Sequence, residues 1–173
     1  MFDSLKHFLA DFSGAAAARE FGEDDYRLAA VALLIHLAEV DGAIDEAEKR
    51  RLREIIEHSF GLNADATARL IAIAEQSDHE AVDFFHFTHV IKRALDEDGR
   101  LKIVEMMWEL AFADGHVDEL EDNIVWRVAE LLGISNRDRI MARHRVAAEP
   151  RGDVQGDLQG DLDVAGPWTE PKS

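Results

Sequence analysis

The chain contains no cysteine, which removes disulfides, thiolate metal ligands and cysteine nucleophiles together. Proline is nearly as scarce, with three residues in all and none before Pro150, so nothing in the first 149 residues forces a helix to break. Strand-like alternation of polar and apolar residues is missing, as are a Gly-rich phosphate loop, a G-x-S-x-G element and a Ser-His-Asp constellation. No run of ~18 uncharged apolar residues occurs, and the start lacks the basic leader and cleavage site of a secretory signal. A cytoplasmic chain without a transmembrane segment is the expectation. Bases are outnumbered, with 19 Lys and Arg against 36 Asp and Glu and a formal charge of -17. That balance argues against nucleic acid as a partner, since phosphate contacts need clustered cations, and it favours metal cations or basic protein surfaces.

What is present is helical periodicity. Apolar residues make up 47% of the sequence, enough for one continuous core, and the pattern predicts an all-α bundle of about seven core helices near 24–40, 45–59, 64–77, 80–96, 100–113, 118–132 and 136–146. Gly42, Gly61, Gly99, Gly115 and Gly133 stand at the predicted helix ends, where a residue without Cβ tolerates the left-handed conformation. Ahead of the bundle, Phe2, Leu5, Phe8, Leu9 and Phe12 share one helical face, so residues 1–23 read as an amphipathic helix and linker. After Glu149 the composition turns to Gly, Pro and Asp, with a stuttering Gly-Asp element and five acids against two bases. Residues 149–173 therefore read as a disordered acidic tail, in which Trp168 is the one candidate docking point, set against the plainer reading of a lone tail aromatic without a partner. The domain proper is 24–148.

Within it one motif occurs twice. "LAEVDGAIDEAE" at Leu37–Glu48 returns as "LAFADGHVDELE" at Leu110–Glu121. Asp25, Arg27, Leu28 and Val31 align with Asp98, Arg100, Leu101 and Val104 at the same spacing. The chain thus reads as two pseudo-repeated helix-turn-helix units, each with an Asp-Gly turn, whose packing about a local two-fold axis would set the turns in comparable environments.

Asp41, Asp45 and Glu48, with Asp114, Asp118 and Glu121, match the second half of an EF-hand loop, and oxygen-rich sets of this kind suit calcium, magnesium or manganese. The first half of the loop fails: Leu37 and Leu110 stand where an acid is required. A plainer account makes Asp45 and Asp118 helix N-caps, with Glu48 and Glu121 completing acidic capping boxes and Ile44 and Val117 packing back as staples. That account leaves Asp41 and Asp114 unexplained, because a carboxylate at a helix C-terminus meets the negative end of the macrodipole. Asp96 and Asp98 in "LDEDGRLK" read as a helix boundary. Asp83, His86 and His89 form a minor candidate for zinc or iron, His116 in the second acidic turn reads as incidental because Ala43 stands at the matching place in the first, and Trp108, Trp126, Met106 and Met107 read as core.

These residues also carry a resemblance. The two acidic turns, the intervening "DEDGRLKIVEMMWELAFADG" and the closing "ELLGIS" resemble the tellurite-resistance TerB family, in its shorter bacterial branch, over roughly residues 24–145. The resemblance implies a compact helical bundle in which Asp41, Asp45, Glu48, Asp114, Asp118 and Glu121 hold a metal ion. It implies a stress-response protein working with protein partners, in a membrane-bound complex at the cytoplasmic face, and similar domains occur beside chaperone modules. The expectation is a non-enzymatic, cation-binding scaffold or sensor. The alternative is a metal-independent helical adaptor or co-chaperone-type interaction domain, with a metal-dependent hydrolase third.

Overall fold

The computed structural model describes residues 21–78 and 84–149, and all regular structure among them is helical. Seven helices follow one another: α1 (Tyr26–Glu39), α2 (Glu46–Phe60), α3 (Ala64–Asp78), α4 (Phe84–Ala94), α5 (Glu97–Ala111), α6 (Glu119–Leu131) and α7 (Asn136–Ala148). The expected N-terminal amphipathic helix, the acidic tail and Asp83 lie outside the described residues.

α1 is the axis of the bundle. Its sequence, YRLAAVALLIHLAE, is apolar on every side, and Leu28 to Ile35, Leu37 and Ala38 are all buried. A helix without a polar face is stable only when surrounded, and α2, α3, α4, α5 and α6 all pack on it. Each of its fully buried Leu and Ile side chains contributes about 1.5–3 kcal/mol relative to exposure. Its start is set by Asp25, whose side chain accepts the Arg27 N–H at 2.9 Å and pairs with the Arg27 guanidinium; that guanidinium also lies over the ring of buried Phe21.

α5 is the second buried helix, with Trp108 and Met107 fully enclosed. α2 and α6 each bury a single stripe, Leu52-Ile55-Ile56 and Val125-Val128-Ala129, the i, i+3, i+4 spacing of a helix lying on the outside. In both halves the helix that enters the acidic turn also packs on the helix two further along, α1 on α3 and α5 on α7.

The predicted junction of α4 and α5 is corrected on both sides. α4 ends at Ala94 rather than residue 96, and α5 begins at Glu97 rather than Arg100, because Asp96 is its N-cap and accepts the Gly99 N–H at 2.9 Å. Gly99 therefore sits inside the first turn and stops nothing; the positive-φ glycines are Gly42, Gly61, Gly115 and Gly133. The far end of this region is closed from a distance: Arg100 Nη1 donates to the Leu132 carbonyl at 2.9 Å, satisfying an orphan acceptor at the C-terminus of α6. Among the described residues no helix is long and apolar enough to cross a membrane.

Candidate functional site

The two acidic turns have matching backbones. Val40 and Ala113 donate to Leu37 and Leu110, and Gly42 and Gly115 donate to Glu39 and Phe112. Gly42 (φ 138°) and Gly115 (φ 89°) then reverse the chain in a region that L-residues rarely enter. Asp45 and Asp118 follow as N-caps, accepting the Glu48 and Glu121 N–H groups at 2.8 and 2.9 Å. The glutamates answer, with Glu48 Oε2 and Glu121 Oε2 accepting the N–H groups of Asp45 and Asp118. Both boxes are complete, as the sequence alone suggests. Ile44 and Val117 are half-buried against the core.

The turns differ at their first acid. Asp114 Oδ1 accepts the His116 N–H at 2.9 Å, a local turn bond that supplies the structural role missing from the sequence reading. Asp41 is exposed, and among the described residues its carboxylate accepts no hydrogen bond. None of the ion pairs among the described residues uses any of the six acids.

Tertiary packing brings the turns to one end of the molecule. Arg51 near the start of α2 lies 3.8 Å from Glu109 near the end of α5, and Phe60 at the end of α2 shares a cleft with Gly99 near the start of α5, so the two helices run antiparallel and both turns fall at the same end. A cleft of about 260 Å³ there is lined by Asp45, Glu48 and Asp114, with Ala47 and Ala113, and also by Arg50, Arg51 and Glu54 of α2, so cationic side chains share it with the acids. The charges interact across it. Burial pushes the Glu48 carboxyl up, and repulsion from Asp45, Asp41 and Asp114 adds to this against the opposing capping bond. Glu121 is pushed up to about 7, first by burial and then by Asp118, Asp114 and Asp41. Each glutamate therefore feels the first aspartate of both turns.

The donor chemistry, carboxylate oxygens alone, suits a hard cation. The fit is one of charge rather than of assembled coordination. Among the described residues no group of three or more His, Asp or Glu side chains is gathered closely enough to hold an ion, and four of the six acids already commit one oxygen to capping. His116 is exposed, with its backbone engaged by Asp114. His86 and His89 border a separate cleft with Asp24 and Arg93, and His89 stacks on exposed Phe85. Trp108, Met106 and Met107 are core, while Trp126 is half-buried, edge-on to Trp108 and beneath Arg139.

No curated protein and no solved structure matches the chain. The family model described as tellurite resistance protein TerB matches residues 27–144, a span running from the first turn of α1 into α7 and enclosing both acidic turns. The chain belongs to the TerB family of tellurite resistance proteins.

Proposed function

We propose that this protein is a non-enzymatic, cytoplasmic stress-response scaffold or sensor whose two acidic turns bind one divalent cation, calcium, magnesium or manganese, and so set the surface offered to protein partners. The observation that carries the reading is the placement of both turns at one cleft, where Asp45 and Glu48 of the first stand beside Asp114 of the second; the charge of Asp114 adds to the upward push on Glu48, and that of Asp41 to the push on Glu121. Like charges from two chain segments held together favour whatever neutralises them. Asp41 and Asp114 would supply the principal carboxylates, with the oxygens of Asp45, Glu48, Asp118 and Glu121 not used in capping. The ion's contribution is charge neutralisation between α2 and α6. Membership of the TerB family supports the stress-response part of the reading.

The test is a titration of the purified chain with calcium, magnesium and manganese, followed by melting temperature, beside Asp41→Asn combined with Asp114→Asn. A ligand at a hundred times its dissociation constant stabilises by about 2.7 kcal/mol, a readily measured rise. The double variant is expected to lose that rise, and an unchanged rise would remove these acids from the site.

A second reading has its own observation. The capping boxes account for Asp45, Glu48, Asp118 and Glu121 without any ion, which favours a metal-independent helical adaptor or co-chaperone-type domain. In that case no cation shifts the melting temperature beyond ionic-strength effects, and partner capture is the same with and without chelator.

A further inference from the structure

The other half of the α2–α5 pair carries a cleft unrelated to the acidic turns. Phe60, Ile103 and Met106 form its floor, His58 and Lys102 stand on its rim, and its volume is about 390 Å³, the size of a small-ligand cleft or of a seat for one large aromatic group. Two further wall residues, Glu105 and Glu109, have cationic partners in Arg145 and Arg51. Lys102 is exposed and has no ion-pair partner among the described residues.

The cleft lies where the last described helix ends. Arg145, in the final turn of α7, is tied to Glu105 on the cleft wall. Glu149, the C-cap of α7, is close enough that its charge joins burial in pushing the Glu109 carboxyl up. The described chain therefore ends beside this opening, with residues 150–173 still to follow in the sequence. They contain one large aromatic, Trp168, in the sequence Pro167-Trp168-Thr169-Glu170-Pro171. A Gly-rich chain as long as residues 150–167 spans roughly 25 Å root-mean-square, comparable with the ~22 Å length of a fifteen-residue helix such as α2. A tether of this kind holds a terminal group at an effective concentration on the order of millimolar.

We propose that the cleft is the seat of the chain's own C-terminal segment, with the Trp168 indole on Phe60, Ile103 and Met106 and the Glu170 carboxylate at Lys102. Proline on both sides of the anchor fixes φ and lowers the cost of ordering it. The indole is the amphipathic group such a mixed floor and rim accepts. The remaining acids of the segment, Asp153, Asp157, Asp161 and Asp163, precede the anchor and stay in water, away from Glu105 and Glu109. The inference is independent of whether the acidic turns hold a cation.

The full chain, uniformly labelled for nuclear magnetic resonance, provides the test. Nuclear Overhauser contacts are expected between the Trp168 indole and the methyl groups of Ile103 and Met106. Trp168→Ala, a substitution outside the described bundle, is expected to shift the backbone amides of Phe60 and of residues 102–106. Lys102→Glu is expected to move those amides toward the Trp168→Ala positions, corresponding to at least a threefold loss of the docked population. Absence of the indole contacts, or cleft amides indifferent to Trp168→Ala, overturns the proposal. So do contacts that instead join Phe2–Phe12, or a second copy in a mixed-label sample, to the cleft. A docked population unmoved by Lys102→Glu also overturns it.

Discussion

Asp114 and Glu48 border the same cleft although they belong to different turns, and the charge of Asp114 helps push the Glu48 carboxyl up. This proximity sets the second acidic turn beside the first turn of α2, so a change of charge in one turn is felt by the other. Asp41→Asn with Asp114→Asn is expected to stabilise the chain in chelator by about 0.5–1 kcal/mol, since two carboxylates at helix C-termini and their mutual repulsion are removed together. Chemical denaturation in chelator, beside the two single variants, measures it. A loss of stability would mean that the charge on the acceptor of the Asp114 turn bond contributes more than the repulsion costs.

Glu121 makes the acidic end pH-dependent. Its folded-state carboxyl is pushed up to about 7 from 4.5, so between those values the folded chain holds a proton that the unfolded chain releases. The contribution to stability is full below about pH 4.5 and is lost as pH rises through about 7. Glu48 is displaced in the same direction. Glu121→Gln keeps an acceptor for the Asp118 N–H and removes the charge. It is expected to raise stability at pH 8 by about 1–2 kcal/mol, after discounting for solvent screening of a half-exposed group, and to flatten the decline between pH 5 and 8. Thermal melts across that range decide it, and a variant less stable at pH 8 would contradict the sign.

The caps are a separate quantity. Asp45→Ala and Asp118→Ala each remove a side chain that accepts a backbone N–H of the following helix, at an expected cost of about 1 kcal/mol apiece. Asp45→Ser and Asp118→Ser are expected to recover most of it. Urea melts in chelator isolate this effect from any ion, and serine variants as unstable as the alanine ones would show that the charge, not the cap, had mattered.

Arg100 closes α6 through the Leu132 carbonyl. Arg100→Met keeps much of the aliphatic stem but leaves that carbonyl without its donor, and the expected loss is about 1–2 kcal/mol. Arg100→Lys is expected to lie between. Faster hydrogen exchange at the end of α6, with the centre of α1 unchanged, would localise the effect.

Much of the candidate site was legible because its residues are near neighbours. Asp45 with Glu48, and Asp118 with Glu121, are three apart, and the capping box follows from that spacing. Gly42 and Gly115 mark chain reversal wherever they stand. The start of α5 is not legible from Gly99, which resembles a stop; Asp96 three residues earlier offers a cap whose bond to the Gly99 N–H decides the boundary. The turn bond from the His116 N–H to Asp114 has only a weak local signal, an aspartate two residues before the donor in a Gly turn.

The sequence by itself determined the helices, their caps, the repetition of the acidic turn and the choice of α1 as the helix to be surrounded, since spacing, capping and unbroken hydrophobicity act over a few residues. Only the tertiary structure decided that α2 and α5 run antiparallel, that Asp114 therefore faces Glu48, that Arg100 reaches Leu132, and that α7 ends beside the Phe60–Met106 cleft. Those relationships join segments tens of residues apart, and they are set by how the whole core closes around α1 rather than by any local pattern.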